Sequence, residues 1–341
     1  MTANEGLRLR TALACWCAVL LALFLNLDNA WWAAISAFIV SGADRKTVVS
    51  KGALRVIGTV IGCAAAFYAA TFFAGQYLTL SVLIIGSIVF GIYKRYTSPY
   101  SYAWTLACVT GTLVLFVSLQ NPGETRAFAI DRCLEISTGV LAAMLVELLL
   151  NPRPISGEQD TIPADAETRR HAMEAAVFAG IIMVTILLLD RYFNLPSPIQ
   201  IAVTATVMIP LQIGYGPKKA FDRLSGCLIG GSSGLAIVVF LPANLLVWSL
   251  FLIVGIFVFS RTHFSGQSNA YVGTQAVLAY LMTMVTGSGP PTTVEPVLDR
   301  LAGIFIGVVI LVIGNLLARE LGFGRSSEEA TTLTKKPTTP A

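Results

Sequence analysis

Apolar positions run along this chain in long blocks separated by short polar ones. They predict twelve helical stretches, at about 11–27, 30–42, 53–74, 78–92, 101–120 and 127–150, then at about 172–189, 197–213, 221–240, 244–260, 269–286 and 297–318. A membrane-crossing helix needs about 20 apolar residues, so several of these are short and must lie beside longer, tilted neighbours. The run from Ala30 to Gly42 is the shortest in its half, roughly 20 Å of helix against a hydrocarbon core of about 30 Å. The stretch that corresponds to it in the second half is broken by Pro210 and carries Gln200, Thr204, Thr206 and Gln212.

The second six stretches repeat the first six. Asn26-Leu27 returns as Asn194-Leu195, Lys51 as Lys219, Arg55 as Arg223, Gly58 and Gly62 as Gly226 and Gly230, Asp131-Arg132 as Asp299-Arg300, and Gly139-Val140 as Gly307-Val308, every pair 168 residues apart. Register kept this long without a gap marks an internal duplication. Six stretches per copy is an even number, so both copies share one orientation, which is the parallel kind of repeat. The expected fold is therefore an all-α polytopic membrane protein of two parallel repeats of about six transmembrane helices each. Its parts are a first repeat over 1–150, a polar, Pro-containing cytoplasmic linker over 151–168, a second repeat over 169–321 and a disordered cytoplasmic tail over 322–341.

Composition agrees with the pattern: 55% of the 341 residues are hydrophobic and 12% charged, where soluble domains carry about 25% charged residues. The net charge of +4 is small, and its placement says more than its size. With the N-terminus inside, 19 of the 23 Lys and Arg fall on the cytoplasmic side and only Arg126, Arg132, Arg191 and Arg300 remain outside. This obeys the positive-inside rule and puts both termini in the cytoplasm. The first stretch has no small-x-small cleavage pattern at Leu27-Asp28-Asn29 and has a mid-chain counterpart, so it reads as a membrane helix, not a signal peptide. All six cysteines lie inside apolar runs, as buried free thiols do. With two histidines in the chain, no metal centre and no cofactor are expected. No Ser/His/Asp set, Walker A loop or Cys–His cluster is present, so the sequence reads as a non-enzyme with no ATP-driven step of its own.

Short or Pro-interrupted segments at matching positions of two halves point to a central binding site. Trp31 and Trp32 open one, and Pro196, Pro198 and Gln200 open the other. The tryptophans read either as an interfacial belt or as rings that contact an aromatic ligand. The sixth segments begin Asp131-Arg132-x-x-Glu135 and Asp299-Arg300-x-x-Gly303. Arg132 and Arg300 offer guanidinium forks for a carboxylate. Asp131 and Glu135 can exchange protons if they face a wet cavity, or can form a local ion pair with Arg132. Only the first copy has the glutamate, so any proton relay is asymmetric. Lys51 and Arg55, repeated as Lys219 and Arg223, read as topology-setting charge or as a cytoplasmic funnel for anions. Gly58, Gly62, Gly226 and Gly230 form smooth helix faces for close packing.

These residues carry a resemblance. Asn29-Ala-Trp-Trp-Ala-Ala-Ile-Ser-Ala with Arg55-Val-Ile-Gly-Thr-Val-Ile-Gly, and Pro99-Tyr-Ser-Tyr-Ala-Trp-Thr-Leu with Arg132-Cys-Leu-Glu-Ile-Ser-Thr-Gly, are similar to the fusaric acid resistance and aromatic acid exporter family. The likeness covers most of 7–150 and, through the repeat, 170–318. It implies a bacterial inner-membrane exporter of aromatic or related organic acids, driven by the proton gradient. Plant aluminium-activated malate channels are similar in their membrane region, which implies that the same architecture can conduct anions passively. The pattern is matched at Trp32, Arg55, Gly58, Gly62, Arg132, Glu135 and Gly139; the second copy keeps Arg223, Gly226, Gly230 and Arg300 but not the Trp-Ala and Arg-x-x-Glu features. Three functions follow for test: a secondary exporter, a passive organic-anion channel, and a non-transporting membrane scaffold or assembly protein. Expected partners are a small organic acid and the lipid bilayer, with a homo-oligomer or a periplasmic adaptor as further candidates, and no nucleic acid.

Overall fold

The computed structural model describes residues 3–151, 165–211, 213, 218–240, 244–285, 287 and 295–321. Most of the expected linker, the whole of the expected tail and Gln212 lie outside the described residues. Twelve α-helices are present among those described: α1 (Ala3–Phe24), α2 (Ala30–Val40), α3 (Arg45–Phe72), α4 (Tyr77–Thr97), α5 (Ser101–Gln120), α6 (Thr125–Leu150), α7 (Ala166–Phe193), α8 (Pro198–Met208), α9 (Lys218–Phe240), α10 (Leu245–His263), α11 (Ala270–Met284) and α12 (Glu295–Glu320). Nine are long and apolar enough to cross a membrane. They fall where the hydrophobic blocks place them, and the chain is a multi-pass membrane protein.

Local chemistry sets the helix ends. The Asp44 carboxylate accepts from the Lys46 and Thr47 amides and caps α3, and the Asn244 side chain does the same for α10 at Leu246 and Val247. Each cap satisfies helix-end donors that have no intrahelical partner. After α1 the chain turns at Asn26, with φ of +53°, and after α7 at Asn194, with φ of +48°. Asparagine tolerates this left-handed region better than most residues, so the repeat preserves the turn as well as the helices.

The repeat governs α2 and α8 as well: both have 11 residues, at bounds 168 apart. Their residues are buried on nearly every side, as expected of apolar helices held inside a bundle. α2 runs beside α6 in the same direction, from Asn29 at Glu135 to Ala33 against Gly139. The chain beyond it reaches Ser41 and Val48, which line the small space beside Arg10 and Glu147 at the opposite end of α1 and α6. The short helix and its following turn thus run beside the stretch of α6 from Glu135 to Glu147.

The two repeats are not separate bodies. α3 packs on α5 as α9 packs on α11, and α2 on α6 as α8 on α12, but α4 packs on α7 and α10 on α1. One apolar core joins Leu80, Ile84 and Ile88 of α4 to Ala175, Ile182 and Met183 of α7. The other joins Ala14, Ala18 and Phe38 of the first repeat to Trp248, Leu252 and Tyr280 of the second. All six cysteines are free.

Close approach needs the repeated glycines. A Cβ on Gly58 or Gly62 would run into the backbone of Ala103 or Ala107 on α5, and one on Gly230 into that of Ala276 on α11. Gly226 faces Val272 and Gln275 in the same way. Small residues let membrane helices gain dispersion and backbone contacts that a side chain would prevent.

Candidate functional site: a basic and aromatic cavity

The first turns of α2 and α8 open on one cavity of about 370 Å³. That is within the range of about 300–1,000 Å³ seen for small-molecule sites. Trp31, Trp32 and Asn29 come from the start of α2, Ser197, Pro198, Ile199 and Gln200 from the start of α8, Phe128 and Arg132 from α6, and Arg300 from α12; Leu113 and Gln120 of α5 complete the wall. Trp31, Trp32, Arg132, Gln200 and Arg300, singled out separately in the sequence, thus line the same space.

The rings and guanidinium groups form a continuous stack. Trp31 and Trp32 stack with centroids 4.4 Å apart at 28°. The Arg132 guanidinium lies 4.9 Å from the Trp32 ring and 4.9 Å from the Phe128 ring, and that of Arg300 lies 4.8 Å from the Trp31 ring. The arginines are repeat partners, whereas both tryptophans come from the first copy and have Ile199 and Gln200 as their counterparts in the second, on the same cavity wall. Desolvated cation–π contacts of this kind are worth about 2 kcal/mol or more, which helps hold two cations in an apolar bundle.

Hydrogen bonds fix the rest. Arg132, 0% exposed, ion-pairs with Glu135, one turn along α6 and also 0% exposed. The second Glu135 oxygen, Oε1, accepts from the Asn29 amide at 2.8 Å, so this carboxylate closes the N-terminus of α2. The Trp31 indole donates to Asn29 Oδ1 at 3.2 Å. Arg300 donates to the Met282 carbonyl at 3.0 Å. Nε and Nη1 of Arg132 find no hydrogen-bond partner among the described residues. With two guanidinium groups and two indole rings on its wall, the cavity is chemically suited to an organic anion with an aromatic ring.

Other candidates are placed elsewhere. Asp131 is half-buried and has Asp28 as an acidic neighbour. Arg55 and Arg223 are buried, at 3% and 5% exposure. Arg55 donates to the Tyr102 hydroxyl at 2.9 Å, and Arg223 to Thr204 at 3.1 Å and Tyr271 at 3.4 Å. Lys51 is half-buried and Lys219 exposed, so the four cations do not share one surface. Two further polar groups inside the bundle are matched by neighbours: Glu147 pairs with Arg10 at 3.4 Å and with Asn151, and Tyr280 donates to the Phe251 carbonyl at 2.7 Å between helices. Phe128 was missed in the sequence, although its place one turn before Arg132 is a signal that could have found it. The Asn29 amide had no such signal, because a backbone donor leaves no trace in residue type.

What the fold and cavity define is a multi-pass helical membrane protein, internally duplicated, with an anion-suited aromatic cavity between its halves. The chain belongs to the fusaric acid resistance protein family, whose signature matches residues 7–177, and residues 176–314 match a second signature described as fusaric acid resistance protein-like. It is 33% identical over 180 residues to a protein named p-hydroxybenzoic acid efflux pump subunit AaeB from Citrobacter koseri, over 46% of this chain and 26% of that one. A protein of the same name from Salmonella heidelberg is 33% identical over 177 residues, with the same shares covered. The matched part thus spans about a quarter of these relatives' length, 26%. No solved structure matches the chain.

Proposed function

We propose that the chain is an inner-membrane secondary exporter of aromatic carboxylic acids, coupled to protons, with both termini in the cytoplasm. The observation that carries this reading is the stack Arg132–Trp32–Trp31–Arg300 on one cavity wall. It offers charge for a carboxylate and ring faces for an arene in the same place. The names of the relatives, which specify p-hydroxybenzoic acid efflux, support the substrate class. They are also named as pump subunits, which supports the expectation of a partner such as a periplasmic adaptor.

In this mechanism Arg132 and Arg300 attract the carboxylate, Trp31, Trp32 and Gln200 contact the ring and its substituents, and Glu135 with Asp131 exchanges protons. Glu135 is suited to this because it is held between a cation and a backbone amide, so protonation frees both. Export of a weak acid meets a physical need: the neutral form enters through the bilayer, ionises inside and is trapped as the anion.

The test is uptake of labelled 4-hydroxybenzoate into everted vesicles containing the protein, with the lumen made acid. Accumulation above equilibrium, abolished by an uncoupler and by Glu135→Gln, is the expected result. Uptake that only equilibrates assigns the chain to the passive channels. No uptake of any acid in a broad panel leaves the scaffold reading.

A further inference from the structure

The repeat places the same three positions at the starts of α2 and α8 and fills them differently. In the first half the Asn29 amide donates to Glu135, and Arg132 ion-pairs with the same carboxylate. The positions 168 further on are Ser197, Gly303 and Arg300. Gly303 packs directly on the start of α8: a Cβ on it would stand 3.1 Å from the Ser197 carbonyl oxygen and 3.1 Å from Gln200 Cβ. α8 begins with no side-chain cap, since Ser197 supplies none, and with Pro198 in its first turn.

A helix N-terminus carries partial positive charge and donors that favour an anion. At α2 a protein carboxylate meets that demand. At α8 none does among the described residues, although Arg300 stands where Arg132 stands in the first half. A second feature points to a ligand independently. Arg132 is fully buried and lines the same cavity as Ser197 and Arg300, yet its Nε and Nη1 have no hydrogen-bond partner among the described residues. Buried donors on a cation are costly to leave unmatched.

We propose that the substrate carboxylate binds at the N-terminus of α8 beside Arg300, the counterpart of the place Glu135 holds at α2, with its ring against Trp31. Arg132 then offers its unmatched donors from across the cavity. This inference rests on the exporter reading and adds the seat of the carboxylate. While ionised, Glu135 is a built-in mimic of that carboxylate and occupies one half of the duplicated site. The chain therefore takes one carboxylate at a time and prefers aromatic monoacids to their neutral analogues.

The experiment is equilibrium binding of labelled 4-hydroxybenzoate to the purified full chain, wild type against Gly303→Glu and Gly303→Gln. The glutamate carries the first half's carboxylate into the second half, and the glutamine brings the same bulk without charge. Gly303→Glu is expected to weaken binding by about tenfold or more, the scale of a lost charge-assisted contact, while Gly303→Gln stays within about threefold of wild type. Equal affinities in all three proteins, or equal losses in both variants, overturn the seat and leave the exporter reading standing. A wild type that binds no aromatic carboxylate overturns both. If the tight packing at Gly303 prevents folding of its variants, Arg300→Gln decides. It is expected to erase the preference for 4-hydroxybenzoate over neutral 4-hydroxybenzamide while amide binding is kept, and a preserved preference overturns the proposal.

Discussion

Arg132 and Arg300 are far apart in the chain but flank one pair of stacked tryptophans, Arg132 at 4.9 Å from Trp32 and Arg300 at 4.8 Å from Trp31. Each ring therefore has one face toward a cation and belongs to a cavity wall. Replacing Trp32 with Leu removes a cation–π contact of about 2 kcal/mol and the flat surface for an arene. Transport of aromatic acids is expected to fall by about tenfold, and transport of a short aliphatic acid by much less. Competition uptake with benzoate and propionate reads the difference; equal losses would show that the ring only holds Arg132.

The Arg132–Glu135 pair makes single substitutions ambiguous. Removing one partner of a buried ion pair costs about 3–5 kcal/mol, because the other is left charged and unmatched, whereas replacing both with apolar residues is often neutral. Arg132→Ala is thus expected to lower both the thermal midpoint and activity. The double substitution Arg132→Met with Glu135→Leu should recover most of the midpoint and none of the transport. A double variant that exports normally would reduce the pair to a structural element.

Much of this was legible in the sequence where residue type alone reports environment. The short helices were bounded by sharp polar signals, Asn29 and Ser41-Gly42 for α2 and Ser197-Pro198 and Pro210 for α8. Arginines at the starts of α6 and α12 had to find partners or a cavity, and they found both. Lys51 and Arg55 were read together from their i,i+4 spacing, yet they part company. Arg55 is drawn into the α3–α5 interface by Tyr102, and Lys51 stays half-buried. Which neighbour a helix face meets is a tertiary fact that spacing cannot supply. The exchange of α4 and α10 between repeats was hidden for the same reason.

The turn before α3 has a pH-dependent cap outside the spans. The Asp44 carboxylate accepts from the Thr47 hydroxyl, from the Lys46 amide at 3.0 Å and from the Thr47 amide at 3.2 Å. These bonds, led by the Thr47 hydroxyl, hold its pKa below the ordinary aspartate value of 3.8. A depressed folded-state pKa means the stabilisation is complete above the unfolded value and is lost as pH falls through the folded one. The gap in thermal midpoint between wild type and Asp44→Ala is therefore expected to be constant from pH 7 to pH 5 and to shrink below 3.8. A gap that does not change with pH would assign the effect to something other than the ionised cap.

The two repeated arginines of α3 and α9 show where the duplication has slipped. Arg223 follows Arg55 by 168 residues, but Tyr271 follows Tyr102 by 169. The glycine contacts move with them: Gly58 meets Ala103 and Gly62 meets Ala107, while Gly226 meets Val272 and Gly230 meets Ala276. Against this, Gly139 on Ala33 and Gly307 on Ile201 keep the 168 offset. The residues of α11 that meet α9 are thus displaced by one in sequence, while the α8–α12 contact keeps the original offset. Tyr271 lies farther from its arginine than Tyr102 does, 3.4 Å against 2.9 Å, and Arg223 is also held by Thr204 at 3.1 Å. Hydrogen bonds to charged groups contribute about 1.5–3 kcal/mol. Tyr102→Phe is expected to cost about that much, Tyr271→Phe less than half of it, and Tyr271→Phe with Thr204→Val as much as Tyr102→Phe. Thermal unfolding of the three variants in one detergent measures the order. Equal shifts for the two single tyrosine variants would mean that Thr204 does not share the load on Arg223.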